Sequence, residues 1–277
     1  MRTLVCSSPD RASVNIKDAL LSLFEWTEIN DFEGQPIFAH GENILVTINQ
    51  LHLYANHVDQ RICEAVDREI TEIIFLSRHK AVSGIHTLTV HPIGNFGVAE
   101  YGGFDRALVP SAHHSMTEIL RQLKRSTEGL PFEVSFEVTH HGPYLDKPTA
   151  FVEIGSDESM WEDKKAAEAI AKSIMQLQIS VNPVLIGIGG GHYAPRFTEV
   201  ALTKRVSFGH MIPNYVIDKA DEDDMIKIIK MAYEKTPGAQ FAYIHKKSMK
   251  RSTVTKLKHL LDRLNIEAIE SESLQEL

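Results

Sequence analysis

Fourteen histidines stand out in a chain of 277 residues, and nine of them fall between positions 79 and 210. Imidazole titrates near neutral pH and is the commonest nitrogen ligand for metals, so this stretch is where hydrolytic or metal chemistry is expected. The pair His140-His141 ends a strand whose period of two sets Val134, Phe136, Val138 and His140 on one face and Ser135, Glu137, Thr139 and His141 on the other. Continued, that strand would hold the two rings apart. Gly142-Pro143 breaks it and lets either ring turn into a crevice at the end of the sheet, where α/β proteins bind ligands. Glu153 stands opposite in parity to Val152 and Ile154 and is aimed out of the core. A carboxylate beside imidazoles suits a zinc site that activates water, and it equally suits a carboxylate that orients a ligand ring from behind.

A second constellation is Gly187-Ile188-Gly189-Gly190-Gly191-His192, directly after the apolar run Val184 to Ile188. It departs from the dinucleotide fingerprint, because His192 stands where the last glycine belongs and Pro195 follows too soon for a helix to open there. A glycine loop at a strand end frees backbone N–H groups to cradle a carboxylate, a phosphate or an oxyanion; the plainer reading is a tight turn needing positive φ. His79 and His86 flank a segment suited to a loop folding back on itself. His245 to Lys258 carries Lys246, Lys247, Lys250, Arg251, Lys256 and Lys258, which reads either as a local footprint for a phosphate backbone or as the solvated face of the last helix.

Composition narrows the classes. With 43% apolar and 24% charged residues the chain carries enough material for a large core, and a formal charge of −8 argues against a protein held on nucleic acid by charge alone. Cys6 and Cys63 are too few for a disulfide framework or a cysteine-rich zinc module. No segment reaches the roughly 18 continuous apolar residues of a membrane span, and the amino terminus has no signal-peptide pattern, so an intracellular protein is expected. There is no Gly-x-Ser-x-Gly elbow, no Walker loop and no His-Glu-x-x-His helix.

The elements that must position these groups alternate between short apolar strands and amphipathic helices, the pattern of an α/β protein with helices covering a central sheet. Strands are expected at Thr3–Cys6, Ile44–Ile48, Glu72–Leu76, Ile85–Val90, Phe132–Val138, Ala150–Ile154, Val184–Ile188 and Phe241–Ile244, with 132–138 and 150–154 as neighbours. Helical spacing appears over Val14 to Phe24, Val58 to Ile70, Met116 to Leu123, Ala166 to Leu177, Met225 to Lys235 and Val254 to Leu264. Gly34 and Pro36 mark a loop. Ser159 with Glu162 resembles a capping box for the helix that follows. Without a repeat, linker or compositional break, residues 1–277 read as one domain.

Five strings in series carry a resemblance: Ser77-Arg78-His79; Thr87 to Asn95 with His91-Pro92; Glu137 to Pro143; Phe151 to Ser156 with Trp161; and Gly187 to Thr198. In order and spacing they resemble the archaeal and plant type of D-aminoacyl-tRNA deacylase over nearly the whole chain. The resemblance implies a three-layer α/β/α fold with a mixed sheet, similar to the phosphorylase/hydrolase type of peptidyl-tRNA hydrolases and zinc exopeptidases. It also implies Zn2+, a D-aminoacylated tRNA as substrate and a monomer in an archaeal cytoplasm. On that footing His140, His141, Glu153 and His192 are expected nearest the reaction, with His79 and His86 as further ligands or bases. Gly189, Gly190 and Gly191 would stabilise the oxyanion, Tyr193 or Trp161 would clamp the terminal adenosine, and Lys246, Lys247, Lys250 and Arg251 would meet the tRNA backbone. A zinc aminopeptidase or amidohydrolase of related fold, and a tRNA-binding protein without catalysis, are the rival readings.

Overall fold

The computed structural model describes residues 1–66, 68–82 and 84–277. Its largest element is an eight-stranded mixed sheet whose spatial order is Thr27–Phe32, Gln35–His40, Asn43–Ile48, Arg2–Ser7, Glu72–Arg78, Thr149–Gly155, Thr87–His91 and Glu133–Phe136. The middle four of these, from Asn43–Ile48 to Thr149–Gly155, run parallel. Their apolar runs are buried on both faces, as expected for parallel strands covered on two sides. One face carries the helices Arg11–Leu23, His113–Ser126 and Lys164–Met175, which share a core with Leu4, Leu76, Val90, Phe136 and Val152. The other face, with Val5, Phe75 and Phe151, is covered by the helix Val58–Ala65 and by loops.

A second sheet is wholly parallel, in the order Ser207–Ile212, Val184–Ile188, Phe241–Ile244, Glu267–Ile269. The sequence reading expected one central sheet, whereas the described residues form two large sheets and a two-stranded ribbon, Gly94–Asn95 with Ala107–Leu108. Leu185, Phe208 and Tyr243 join the core of the large sheet, while Ile186, Ile188, Ile212 and Ala242 pack under the helices Glu222–Glu234 and Arg251–Arg263. The strand Val184–Ile188 delivers the glycine loop at its carboxyl end.

Four local expectations are corrected. Strands Glu133–Phe136 and Thr149–Gly155 are not neighbours, because Thr87–His91 lies between them, parallel to the first and antiparallel to the second. The hairpin Thr27–His40 replaces the expected loop: Gly34 turns it at φ 77°, with the Asp31 carboxylate accepting the Gly34 N–H, and Pro36 lies inside the returning strand. The capping residue of Lys164–Met175 is Asp163, which accepts from Ala166 N–H; Ser159 instead belongs to the short helix Glu158–Trp161 capped by Asp157. The helix expected over Val58 to Ile70 ends at Ala65, and Asp67 in that span lies outside the described residues, as does Ser83 between His79 and His86. No helix among the described residues is long and apolar enough to cross a membrane.

Candidate active site

The segment that carries the His pair is stitched between the two sheets. Beyond Phe136, Glu137 N–H donates to Val90 O, Val138 N–H to His192 O and Thr139 N–H to Met211 O, while His140 bridges to Ile93. One continuous stretch therefore takes its neighbours from the end of Thr87–His91 on one side and from the glycine loop and second sheet on the other. Val134, Phe136 and Val138 are in the core, so the strand's alternation sends Glu137 to the opposite face. At His141 the backbone passes into the left-handed region, φ 44°, which histidine enters more readily than bulkier side chains. That turn brings the adjacent rings of His140 and His141 within 4.4 Å, centroid to centroid, where an extended strand would have parted them. The following Gly142 has no room for a side chain, because a Cβ there would lie 2.1 Å from Gly103 N.

Glu153 stands between Ser77 and Thr89 on its two neighbouring strands. It shares a face with Phe151, against which the rings of His91 and His141 lie at 5.4 and 4.9 Å. His79 follows the end of Glu72–Arg78; Gly155 makes space for it, since a Cβ at 155 would come 3.1 Å from the His79 Cβ. The result is five imidazoles around two buried carboxylates. His192 Nε2 lies 2.9 Å and His140 Nε2 3.4 Å from Glu137 Oε2, and His79 Nδ1 lies 3.1 Å from Glu137 Oε1 and 3.4 Å from Glu153 Oε2. His91 Nε2 is 3.7 Å from Glu153 Oε2.

Three of the rings are oriented from behind. Nδ1 of His140, His141 and His91 meets the carbonyl oxygens of Val138, Gly142 and Pro92 at 2.8, 2.7 and 3.2 Å. A carbonyl cannot donate, so each Nδ1 carries the proton and, in the neutral ring, Nε2 presents its lone pair. This is how proteins hold metal-binding imidazoles. Buried Nε2 of His91 and both oxygens of Glu137 have no partner of good hydrogen-bond geometry, an arrangement that is costly without a cation. Donor atoms of His91, His140 and His141 all lie within 4.8 Å of one another, as do those of His79, Glu137 and His192 and those of His91, Glu137 and Glu153.

The electrostatics favour a positive charge at the centre. Burial, reinforced by neighbouring imidazoles, drops His140 well below the ordinary imidazole value and His141 to about 3, so both are neutral near pH 7. Burial opposes charge on His79 and His91 too, but the Glu153 and Glu137 carboxylates beside them outweigh it and raise both. Burial alone would push Glu137 and Glu153 up; the surrounding imidazoles, His192 foremost for Glu137 and His79 for Glu153, hold both low and ionised. Carboxylates that draw protons onto His79 and His91 would draw a metal cation in the same way.

The glycine loop is only partly available as an oxyanion cradle. Gly189 N–H is taken by Ile212 O at 2.8 Å, and Gly190 N–H by Asn214 Oδ1 and Ser248 Oγ, each at 3.0 Å. Positive φ at Gly189 and Gly190 serves the turn, and Gly191 faces open space. Ser248 belongs to the turn Lys246–Ser248, so the basic segment docks on the glycine loop. Lys246, Lys247, Lys250 and Arg251 are exposed there, with Lys246 and Lys258 paired to Glu270.

Two expected site residues fall elsewhere. His86 is exposed, lies against Phe132 and is in none of the donor groupings among the described residues. Trp161 is 4% exposed and donates its indole N–H to the His79 carbonyl at 2.9 Å, with the Arg78 guanidinium over its ring, so it braces His79 and has no free face for an adenosine. Tyr193 touches His79 Nε2 through its hydroxyl at 3.1 Å and stays at the site. Sequence reasoning missed Glu137, although its parity opposite Val134, Phe136 and Val138 was the available signal. It also left His91 out of the expected site, although that residue stands in the string Thr87 to Asn95 that carries the resemblance.

Beside this cluster opens a cavity of about 580 Å³, within the size range of small-ligand pockets. His140, His141 and His192 line it, as do Gly94, Asn95, Phe96 and Gly97, and Tyr101 and Tyr215 are also in its wall.

Comparison with known proteins agrees with this geometry. The family model described as D-aminoacyl-tRNA deacylase matches residues 66–269. The chain is 38% identical to a D-aminoacyl-tRNA deacylase of Methanosarcina mazei, over 99% of this chain and 93% of that protein. It is 32% identical to one of Archaeoglobus fulgidus, over 99% and 98% of the respective lengths. A crystal structure of a conserved protein described as of unknown function superposes with a TM-score of 0.88 at 31% identity, covering 100% of this chain and 99% of the other. Spanning both the large sheet that holds Glu153 and the loop that holds His192, these matches leave one conclusion: the chain belongs to the D-aminoacyl-tRNA deacylase family.

Proposed function

We propose that this protein, acting as one unit in the cytoplasm, hydrolyses the ester between a D-amino acid and tRNA to release both. The observation that carries the reading is the clustering of His91, His140 and His141, whose donor atoms lie within 4.8 Å of one another and whose rings are each fixed through Nδ1, with His140 and His141 in the wall of the cavity. Those three imidazoles, neutral or able to become so, fit Zn2+ as a donor set, with Glu153, 3.7 Å from His91 Nε2, supplying charge balance. Bound there, zinc would supply Lewis acidity and activate water near neutral pH.

The chain's own residues account for the remaining demands. Glu137 holds His192 by its Nε2 at 2.9 Å and keeps the ring at the cavity wall, where an imidazole paired with a carboxylate can take a proton from water and return one to the ribose oxygen that leaves. His79, with Nδ1 toward both carboxylates and Nε2 toward Tyr193, is drawn toward its protonated form by them and in that form offsets the charge of two carboxylates buried side by side. Discrimination between isomers falls to sterics: Gly94, Asn95, Phe96 and Gly97 line the cavity, and a wall packed near the ester α-carbon there would exclude the L isomer.

The test is release of amino acid from tRNA charged with matched D- and L-amino acids, before and after chelation and after zinc is returned. Release of the D isomer alone, lost on chelation and restored by zinc, is expected. Hydrolysis of free peptides with charged tRNA untouched would replace this reading by an aminopeptidase, and full activity after verified metal removal would take zinc out of it.

A further inference from the structure

Two tyrosines lie in the cavity wall with nothing to stack on. Tyr101 is 62% and Tyr215 45% exposed, and neither ring has an aromatic or cation–π partner among the described residues. Large aromatic side chains left open beside a reaction centre are suited to a planar ligand, and every nucleobase offers a π-face. What distinguishes Tyr215 is its connection. It follows Asn214, whose Oδ1 receives the Gly190 N–H and whose Nδ2 donates to Ser248 O at 2.7 Å. The tyrosine is thus one residue from the joint that locks the glycine loop onto the basic turn Lys246–Ser248. Lys247 on that turn and Lys219 in the cavity wall are exposed, and neither has an ion-pair partner among the described residues. A strip is formed in which an aromatic face adjoins the hydrolytic cluster and cations extend from it, on a protein whose overall charge is −8. Single-stranded nucleic acid is bound by stacking faces joined to a positive track of this kind.

We propose that the single-stranded 3′ end of tRNA crosses the seam between Asn214 and Ser248, its terminal adenine stacking on Tyr215 and the preceding phosphates lying toward Lys219 and Lys247. The site rests on the tRNA reading above and deepens it. It moves the base clamp from Trp161, whose ring is buried, to an open ring, and it explains why the glycine loop and basic turn are tied together: the joint sets the distance between the ester at His140 and His192 and the phosphates behind it. Tyr215 acts here by positioning; no proton moves through it.

The experiment uses the full chain, its Tyr215→Leu, Tyr215→Phe and Lys247→Ala variants, and an uncharged acceptor-stem minihelix carrying 2-aminopurine in place of the terminal adenine. Stacking quenches 2-aminopurine, so wild type and Tyr215→Phe should quench the probe and Tyr215→Leu should not. With D-aminoacyl-tRNA the Leu variant should raise KM roughly 5- to 150-fold, the effect of removing one aromatic–base stack, with kcat within twofold and Phe restoring KM. Lys247→Ala should weaken binding and lower the slope of log affinity against log salt by about 1. Full quenching by the Leu variant, or an unchanged KM, overturns the stacking site while the deacylase reading stands. A wild-type protein that quenches the probe but releases no amino acid from charged tRNA has the opposite meaning: stacking survives and the deacylase reading falls.

Discussion

His192 and Glu137 meet at 2.9 Å, although one ends a glycine loop of the second sheet and the other leaves a strand at the edge of the first. The half-exposed imidazole and the fully buried carboxylate form the contact on which the two sheets agree. Replacing Glu137 by Gln keeps its shape and removes its charge, so His192 loses its anchor and His79 its counter-charge. Turnover of D-aminoacyl-tRNA is expected to fall on the order of 10² to 10⁴-fold, as for loss of a positioned acid–base group. Equal kcat for wild type and Glu137→Gln would remove the carboxylate from the mechanism.

His140→Ala and His141→Ala each delete a ring whose Nδ1 is held by a carbonyl and whose Nε2 is left to bind. Zinc bound per chain after dialysis should fall in both variants. His86→Ala should leave bound zinc and activity within about twofold, because that ring stands outside the cluster. Equal zinc loss in His86→Ala and His140→Ala would contradict the assignment.

Gly142 tests the turn that joins the His pair. A Cβ there meets backbone, 2.1 Å from Gly103 N and 2.4 Å from Gly102 C, which cannot step aside as a flexible side chain can. Gly142→Ala should cost about 1–3 kcal/mol in a urea titration and reduce activity further by shifting His141. A variant with unaltered midpoint and kcat would show that the close approach is dispensable.

His210 sets an acid limit on stability. Fully buried, it receives the Thr139 hydroxyl at Nδ1 and donates from Nε2 to Val109 O at 2.9 Å, and burial lowers it to about 4 from the ordinary 6.5. The folded pKa is the lower one, so between pH 6.5 and 4 the unfolded chain binds more protons and stability falls as pH falls, by roughly 3 kcal/mol across the window for this group. His210→Gln should be less stable at pH 7.5, where the neutral ring's bonds are lost, and should flatten the decline between pH 6.5 and 4.5. Parallel curves for both proteins would refute the role.

Much of the site was legible before folding, and the rest was not, for a reason that particular residues make plain. The amino-acid order determines which face a strand residue takes: Val134, Phe136 and Val138 define the core side, and the same parity turns Glu137 away from it. It also marks where a strand must stop, at Gly142-Pro143 and at the glycines after Ile188, and so places His140, His141 and His192 at sheet ends. What lies across from a residue is a different matter, because it depends on the order of strands in the sheet. That Thr87–His91 inserts between Thr149–Gly155 and Glu133–Phe136 is what carries His91 to Glu153 and Val90 to Glu137, and no local pattern encodes that choice. The polar edge strand Thr27–Phe32 was invisible for a related reason: all but one of its residues are exposed, so it owes its conformation to pairing with Gln35–His40 and shows no apolar period. Trp161 and His86 show the limit from the other side, since residue type proposed both for the site and only tertiary packing decided that one braces it and the other faces solvent.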